Sequence, residues 1–171
     1  DRRVVGAQHE DGEARRCAGR DRPRRRSVLH VVARNDVVAD DDPVSRRLLQ
    51  NYLQKWGYEV VVTVNGAEAW QQFEQDDFPM VISDWMMPEM DGPELIRRIR
   101  EGRRTSYVYT ILLTARSDKQ DMVKGMEAGA DDFVSKPFDR DELQVRLRAG
   151  ERIIKLERAL EAQNQALRDA Q

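Results

Sequence analysis

A chain of 171 residues can bury one good core and carry extensions, and its formal net charge of −2 gives the whole molecule no nucleic-acid footprint. Cys17 stands alone, which excludes an intrachain disulfide and suits a reducing cytosol. No apolar run approaches the roughly 20 residues of a membrane helix and none reads as a signal peptide, so a soluble cytoplasmic protein without membrane contact is expected.

Residues 1–27 show no apolar periodicity. Within 1–26, nine Arg stand against five acidic residues, a local net charge of +4. No aromatic is interleaved there to stack on bases, so the stretch is expected to be a basic tail, disordered or non-native, with no direct nucleic-acid role. Val37-Val38-Ala39 ends a first strand, although Asn35 and Asp36 are polar and Val28 to Ala33 offers a rival apolar run for its start. Pro43 suits the first turn of a helix through Trp56, with Leu48, Leu49, Tyr52 and Leu53 on one face and Gly57 as its stop. Tyr58 to Val64 reads as a second strand. Asn65 can cap a helix carrying Ala69, Trp70 and Phe73. Met80 to Ser83 is a third strand, and residues 92–101 place Leu95, Ile96 and Ile99 on one helical stripe. Tyr107 to Leu113 is a fourth strand, Ser117 caps a helix ending near Gly129, Phe133 to Ser135 is a fifth strand, and Asp139 begins a last helix.

Five strands alternating with five helices predict an α/β fold, a doubly wound five-stranded parallel sheet covered on both faces. Ligands of such sheets bind beyond the carboxyl ends of the strands. Three charged clusters fall there: Asp40-Asp41-Asp42 after the first strand, Asp84 after the third, and Lys136-Pro137 after the fifth. Alone, the acidic triplet would serve as well to cap a helix. Beside Asp84, its carboxylates repel unless a cation neutralises them, and an all-oxygen set without His or Cys favours a hard ion over zinc or copper. Three acids with room for a phosphoryl group suit Mg2+, which keeps several waters and takes few carboxylates. Lys136 offers a point charge for a carboxylate or phosphoryl oxygen, and Pro137 permits a cis peptide that would aim it. Thr114 presents a hydroxyl at the same edge, though alone it would be an ordinary β-branched strand residue.

Asp40-Asp41-Asp42-Pro43, Asp84-Trp85-Met86-Met87-Pro88 with Asp91-Gly92, Thr114-Ala115 and Lys136-Pro137-Phe138 together resemble the receiver domain of bacterial response regulators. The resemblance covers about residues 35–148 and implies a flavodoxin-like receiver. It implies that Asp84 accepts a phosphoryl group from a sensor histidine kinase or phosphotransfer protein. Mg2+ would lie on Asp40, Asp41, Asp84 and the Met86 carbonyl, while Thr114 and Lys136 would meet the phosphoryl oxygens. Phe133 stands where the family carries an aromatic that moves with Thr114. Two other classes compete: an aspartyl-phosphate phosphatase or phosphotransferase, and an unphosphorylated docking module. The enzyme would need a general acid two residues beyond Asp84, where Met86 cannot transfer a proton. The docking module is disfavoured because every expected pocket residue is present.

Over residues 149–171, Ile153, Leu156, Leu160, Gln163, Leu167 and Ala170 alternate in spacings of three and four. That is a coiled-coil seam of nearly three heptads, and a parallel homodimer through this helix is expected. Receivers extended in this way resemble those ahead of diguanylate cyclase-type outputs, and no separate catalytic or DNA-binding output is read in the chain.

Overall fold

The computed structural model describes residues 35–102, 106–115 and 119–171. The expected basic tail, the rival strand start at Val28 to Ala33 and the Ser117 cap lie outside the described residues. In chain order the elements are β1 (Asn35–Ala39), α1 (Pro43–Lys55), β2 (Glu59–Thr63), α2 (Gly66–Gln75), β3 (Met80–Asp84), α3 (Gly92–Glu101), β4 (Tyr109–Thr114), α4 (Lys119–Ala128), β5 (Asp132–Ser135) and α5 (Arg140–Asp169). All strand pairs are parallel, in the order β2-β1-β3-β4-β5. The strand order therefore reverses beside β1 and β3, which places the topological switch point where Asp40 and Asp84 emerge.

Side chains alternate across the sheet, and each face buries its own set. Met80 and Ile82 of β3 join Ile111 and Leu113 of β4 under Leu49 and Leu53 of α1 and Leu143 and Leu147 of α5. On the opposite face Val37, Ala39 and Val81 pack with Ala69 and Phe73 of α2 and Leu95 and Ile99 of α3. Strands buried on both faces explain the near-continuous apolar runs in the sequence.

Helix starts follow side-chain chemistry. Asp42 accepts from the amides of Val44 and Ser45 and precedes Pro43 at the first turn of α1. Asn65, Asp91 and Asp139 cap α2, α3 and α5 by accepting from the amides of Glu68, Glu94 and Glu142. Two details of the sequence reading change. Leu48 does not join the buried face of α1: it is 39% exposed, while Leu49 and Leu53 are fully buried, so the apolar stripe is one residue narrower. β1 does include Asn35 and Asp36, because its backbone is claimed on both sides, with Asp36 in register with Val60 of β2 and Met80 of β3. Ladder bonding there outweighs side-chain polarity, and Asp36 is buried.

α5 runs unbroken for 30 residues, about 45 Å. It approaches the sheet closely at Gly150, where a Cβ would stand 2.6 Å from Cδ1 of Tyr109 and 2.9 Å from Cε of Met80. Packing continues to Ile154, which is buried in the main core. Glu151 accepts from the Tyr58 hydroxyl, and Arg158 reaches Asp77 at 3.4 Å. Among the described residues no helix is long and apolar enough to cross a membrane.

Candidate functional site

Strand register brings the charged clusters together. Ala39 pairs with Ser83, Asp84 with Leu113, and Thr114 with Ser135, so Asp40, Asp84, Thr114 and Lys136 all lie at one edge of the sheet. Asp40, Asp41 and Asp84 each offer a carboxylate oxygen within 4.8 Å of the others. Asp40 is fully buried, Asp84 half-buried and Asp41 exposed, so the trio opens toward solvent on the Asp41 side.

Lys136 ties the cluster to β5. Its Nζ lies 2.9 Å from Oδ2 of Asp40 and 3.1 Å from Oδ2 of Asp84. Its own amide donates to the Thr114 carbonyl, and the peptide to Pro137 is cis. The second oxygen of Asp40 accepts from the Asp42 amide, and Arg46 donates to the Asp40 carbonyl at 2.8 Å. Oδ1 of Asp84 accepts from the Trp85 amide at 2.8 Å, which leaves its Oδ2 facing Lys136.

These contacts do not balance the charge. Burial pushes Asp84 up to about 6; Lys136 pulls it back down, and the neighbouring Asp40 carboxylate raises it again. For Lys136, burial opposes the charged form, but the hydrogen bond and charge of Asp40, joined by Asp84, more than offset it and hold the ammonium above its ordinary range. One ammonium shared by a buried and a half-buried carboxylate stays charged but does not offset the burial of Asp84.

The loop after Asp84 is fixed by backbone. The Gly92 amide donates to the Trp85 carbonyl at 2.9 Å, and the Met90 amide to that of Pro88 at 2.8 Å. A Cβ at Gly92 would run into the Asp84 carbonyl and meet Cδ2 of Leu112 at 2.7 Å, so only glycine fits. Glu89 takes a left-handed backbone, with φ of 68°.

Asp84, Trp85, Met86, Thr114, Ala115, Asp121 and Lys136 line a cavity of about 210 Å3 beside Asp84. Met86 is also shared with a neighbouring groove that includes Asp41 and Asp91. Phe133 is half-buried with Trp85 against Ile96, Leu112 and Ala130. A Cβ at Gly125 of α4 would stand 2.6 Å from the Phe133 ring and 3.0 Å from Trp85, so α4 presses on both aromatics through a bare backbone. Sequence reasoning passed over Asp121 and Gly125. An acid in a helix's first turn is ordinary, and neither position is marked until α4 docks.

The residues of the expected seam lie apart from this site, on the outer side of α5. Ile153, Leu156, Leu160 and Leu167 are 37%, 71%, 52% and 60% exposed.

Comparison with known proteins gives a consistent picture. The family model described as the response regulator receiver domain matches residues 37–148. The chain is 35% identical over 113 residues to the transcriptional regulatory protein SrrA of Staphylococcus aureus, covering 66% of this chain and 46% of that one. It thus spans about half the length of the curated relatives it matches. Among solved structures, the receiver domain of the TMAO respiratory system response regulator TorR is 37% identical, covers 70% of this chain and 98% of its own, and superposes with a TM-score of 0.63. The signal receiver domain of an HD domain-containing protein from Pseudomonas fluorescens Pf-5 is 29% identical, covers 77% and 97%, and gives a TM-score of 0.70. A probable two-component system response regulator/GGDEF domain protein is 28% identical, covers 71% and 50%, and gives 0.66.

Proposed function

Because this chain belongs to the response regulator receiver family of two-component systems, we propose that Asp84 accepts a phosphoryl group from a histidine of a sensor kinase or phosphotransfer protein. The observation that carries this reading is the half-buried Asp84 carboxylate, held between one ammonium and two further acids at the mouth of a cavity that also contains Thr114. In the transfer, a carboxylate oxygen of Asp84 bonds to phosphorus as the P–N bond of the phosphohistidine breaks. Positioning and charge neutralisation do most of the work in such reactions. Lys136 meets the phosphoryl oxygens with its ammonium, and Thr114 donates its hydroxyl to them.

The donor set fits Mg2+. Asp40, Asp41 and Asp84 converge as hard oxygen ligands, and the raised titration of Asp84 marks a site short of positive charge. Together with the Met86 carbonyl they would hold the ion, which supplies the charge that lets the carboxylates and a phosphoryl group coexist.

Engagement of Thr114 by the phosphoryl group is relayed to Phe133, which stands against Trp85 beside α4. The receiver, residues 35–148, thereby biases the state of the 149–171 extension, which pairs as a parallel homodimer through Ile153, Leu156, Leu160 and Leu167. The protein acts in the cytoplasm without direct nucleic-acid contact by this part of the chain, and it is not an enzyme with a separate substrate. Met86, two residues beyond Asp84, has no proton to give a leaving group, which speaks against an aspartyl-phosphate phosphatase.

The experiment is loading with acetyl phosphate in Mg2+, read by intact mass. Wild type gains one phosphoryl group and Asp84→Asn gains none. Labelling of Asp84→Asn at the wild-type rate refutes the assignment.

A further inference from the structure

We infer that Asp121 is the base that ends the phosphorylated state, taking the proton from the water that hydrolyses the acyl phosphate on Asp84. The inference rests on Asp84 being the phosphoacceptor and concerns the next step at the same site. A phosphoryl group on Asp84 projects into the cavity lined by Asp84, Trp85, Met86, Thr114, Ala115, Asp121 and Lys136. In-line displacement requires the water to approach phosphorus from the side opposite the Asp84 oxygen, so the residues lining the cavity are the ones placed to meet it.

Among the described residues lining the cavity, few can receive a proton. Trp85, Met86 and Ala115 present apolar surface or a donor only. Thr114 is too weak a base, and Lys136 is held charged by Asp40 and Asp84. Asp84 itself is bonded to phosphorus as the acyl phosphate at that moment. The Asp121 carboxylate remains, supplied by the first turn of α4 and half-buried in the cavity wall. Its position on α4 is fixed one helical turn before Gly125, where the backbone bears on Trp85 and Phe133.

The step balances. The water oxygen bonds to phosphorus, the bond from phosphorus to the Asp84 oxygen breaks, and Asp84 regains its carboxylate. Asp121 takes the water proton and returns it to solvent, and inorganic phosphate leaves. General-base catalysis of this kind is worth about 10²–10⁴-fold. It also ties the lifetime of the signal to α4, so that any partner displacing this helix carries the base away and prolongs phosphorylation.

The test uses the full chain, loaded with acetyl phosphate in Mg2+ and freed of donor, with the phosphorylated fraction followed by intact mass. Asp121→Asn is expected to slow the decay at least about tenfold, and Asp121→Glu to restore a rate nearer wild type. Thermal unfolding should be unchanged in both, and both should still bind beryllium fluoride, since neither fold nor binding needs a base. Decay of Asp121→Asn within twofold of wild type overturns the inference and leaves Asp84 as acceptor. Wild type that takes up no phosphoryl group, or takes it up equally in Asp84→Asn, removes the premise instead.

Discussion

Asp84→Asn should make the metal-free protein more stable at pH 8. The ordinary carboxyl titrates at 3.8 in the unfolded chain, whereas burial in the fold pushes Asp84 up to about 6. A folded value above the unfolded one means that the group's contribution to stability is fully present below pH 3.8 and is lost as pH rises through about 6. Taken whole, that gap amounts to about 3 kcal/mol at pH 8. Water entering from the open Asp41 side brings the expected gain to about 1–2 kcal/mol. Asn keeps an acceptor for the Trp85 amide, and Lys136 keeps Asp40, so the substitution removes the charge and little else. The assay is urea unfolding of both proteins in EDTA at pH 4.5, 6 and 8. The advantage of Asp84→Asn should grow across that series. Mg2+ at pH 8 should stabilise wild type more than the variant and shrink the difference. A variant less stable than wild type at pH 8 in EDTA, or a difference indifferent to pH, would refute the reasoning.

Three further outcomes are expected. Mg2+ should change tryptophan fluorescence through Trp85, which lines the cavity beside Asp84; Asp41→Ala should weaken the response and Trp85→Phe abolish it, leaving Trp56 and Trp70 as a constant background. Gly92→Ala should destabilise the fold by about 1–3 kcal/mol in urea, because the new methyl meets the Asp84 backbone and Leu112 rather than a yielding side chain. In sedimentation, wild type should associate through α5 and Leu156→Glu/Leu160→Glu should not, each leucine being worth roughly 1.5–3 kcal/mol when buried; a wild type that stays monomeric at high micromolar concentration, with and without beryllium fluoride, refutes the pairing.

The sheet edge could be read from the sequence because Met80 to Ser83 and Phe133 to Ser135 stop abruptly at Asp84 and Lys136. A buried strand leaves little freedom about which face or end a charge occupies. The alternation of strands and helices predicts a parallel sheet, so Asp40 and Asp84 were legible as sharing its carboxyl edge, whereas the order that sets β1 beside β3 is not fixed by alternation alone. Asn35 and Asp36 were harder, since pairing with β2, and for Asp36 with β3 as well, sets their place in β1, which composition does not express. Leu48 and Leu49 show the limit of helical periodicity: a stripe predicts a face, but its margin depends on how α1 is rolled against the sheet. Asp121, Gly125 and Gly150 lay beyond reach for one reason. Each matters through close approach to residues distant in sequence, namely the cavity wall, the Phe133 and Trp85 rings, and Tyr109 with Met80.

The unbroken course of α5 has a mechanical consequence. The helix is rooted at Asp139, three residues past Lys136, and its last buried residue is Ile154. Beyond Ile154 the rod continues about 22 Å to Asp169. With no hinge in the helix, a rotation of about 5° where it lies on the sheet displaces its tip by about 2 Å, simply from that length. A displacement of that size is comparable to one helical rise, and it grows with every residue beyond Ile154.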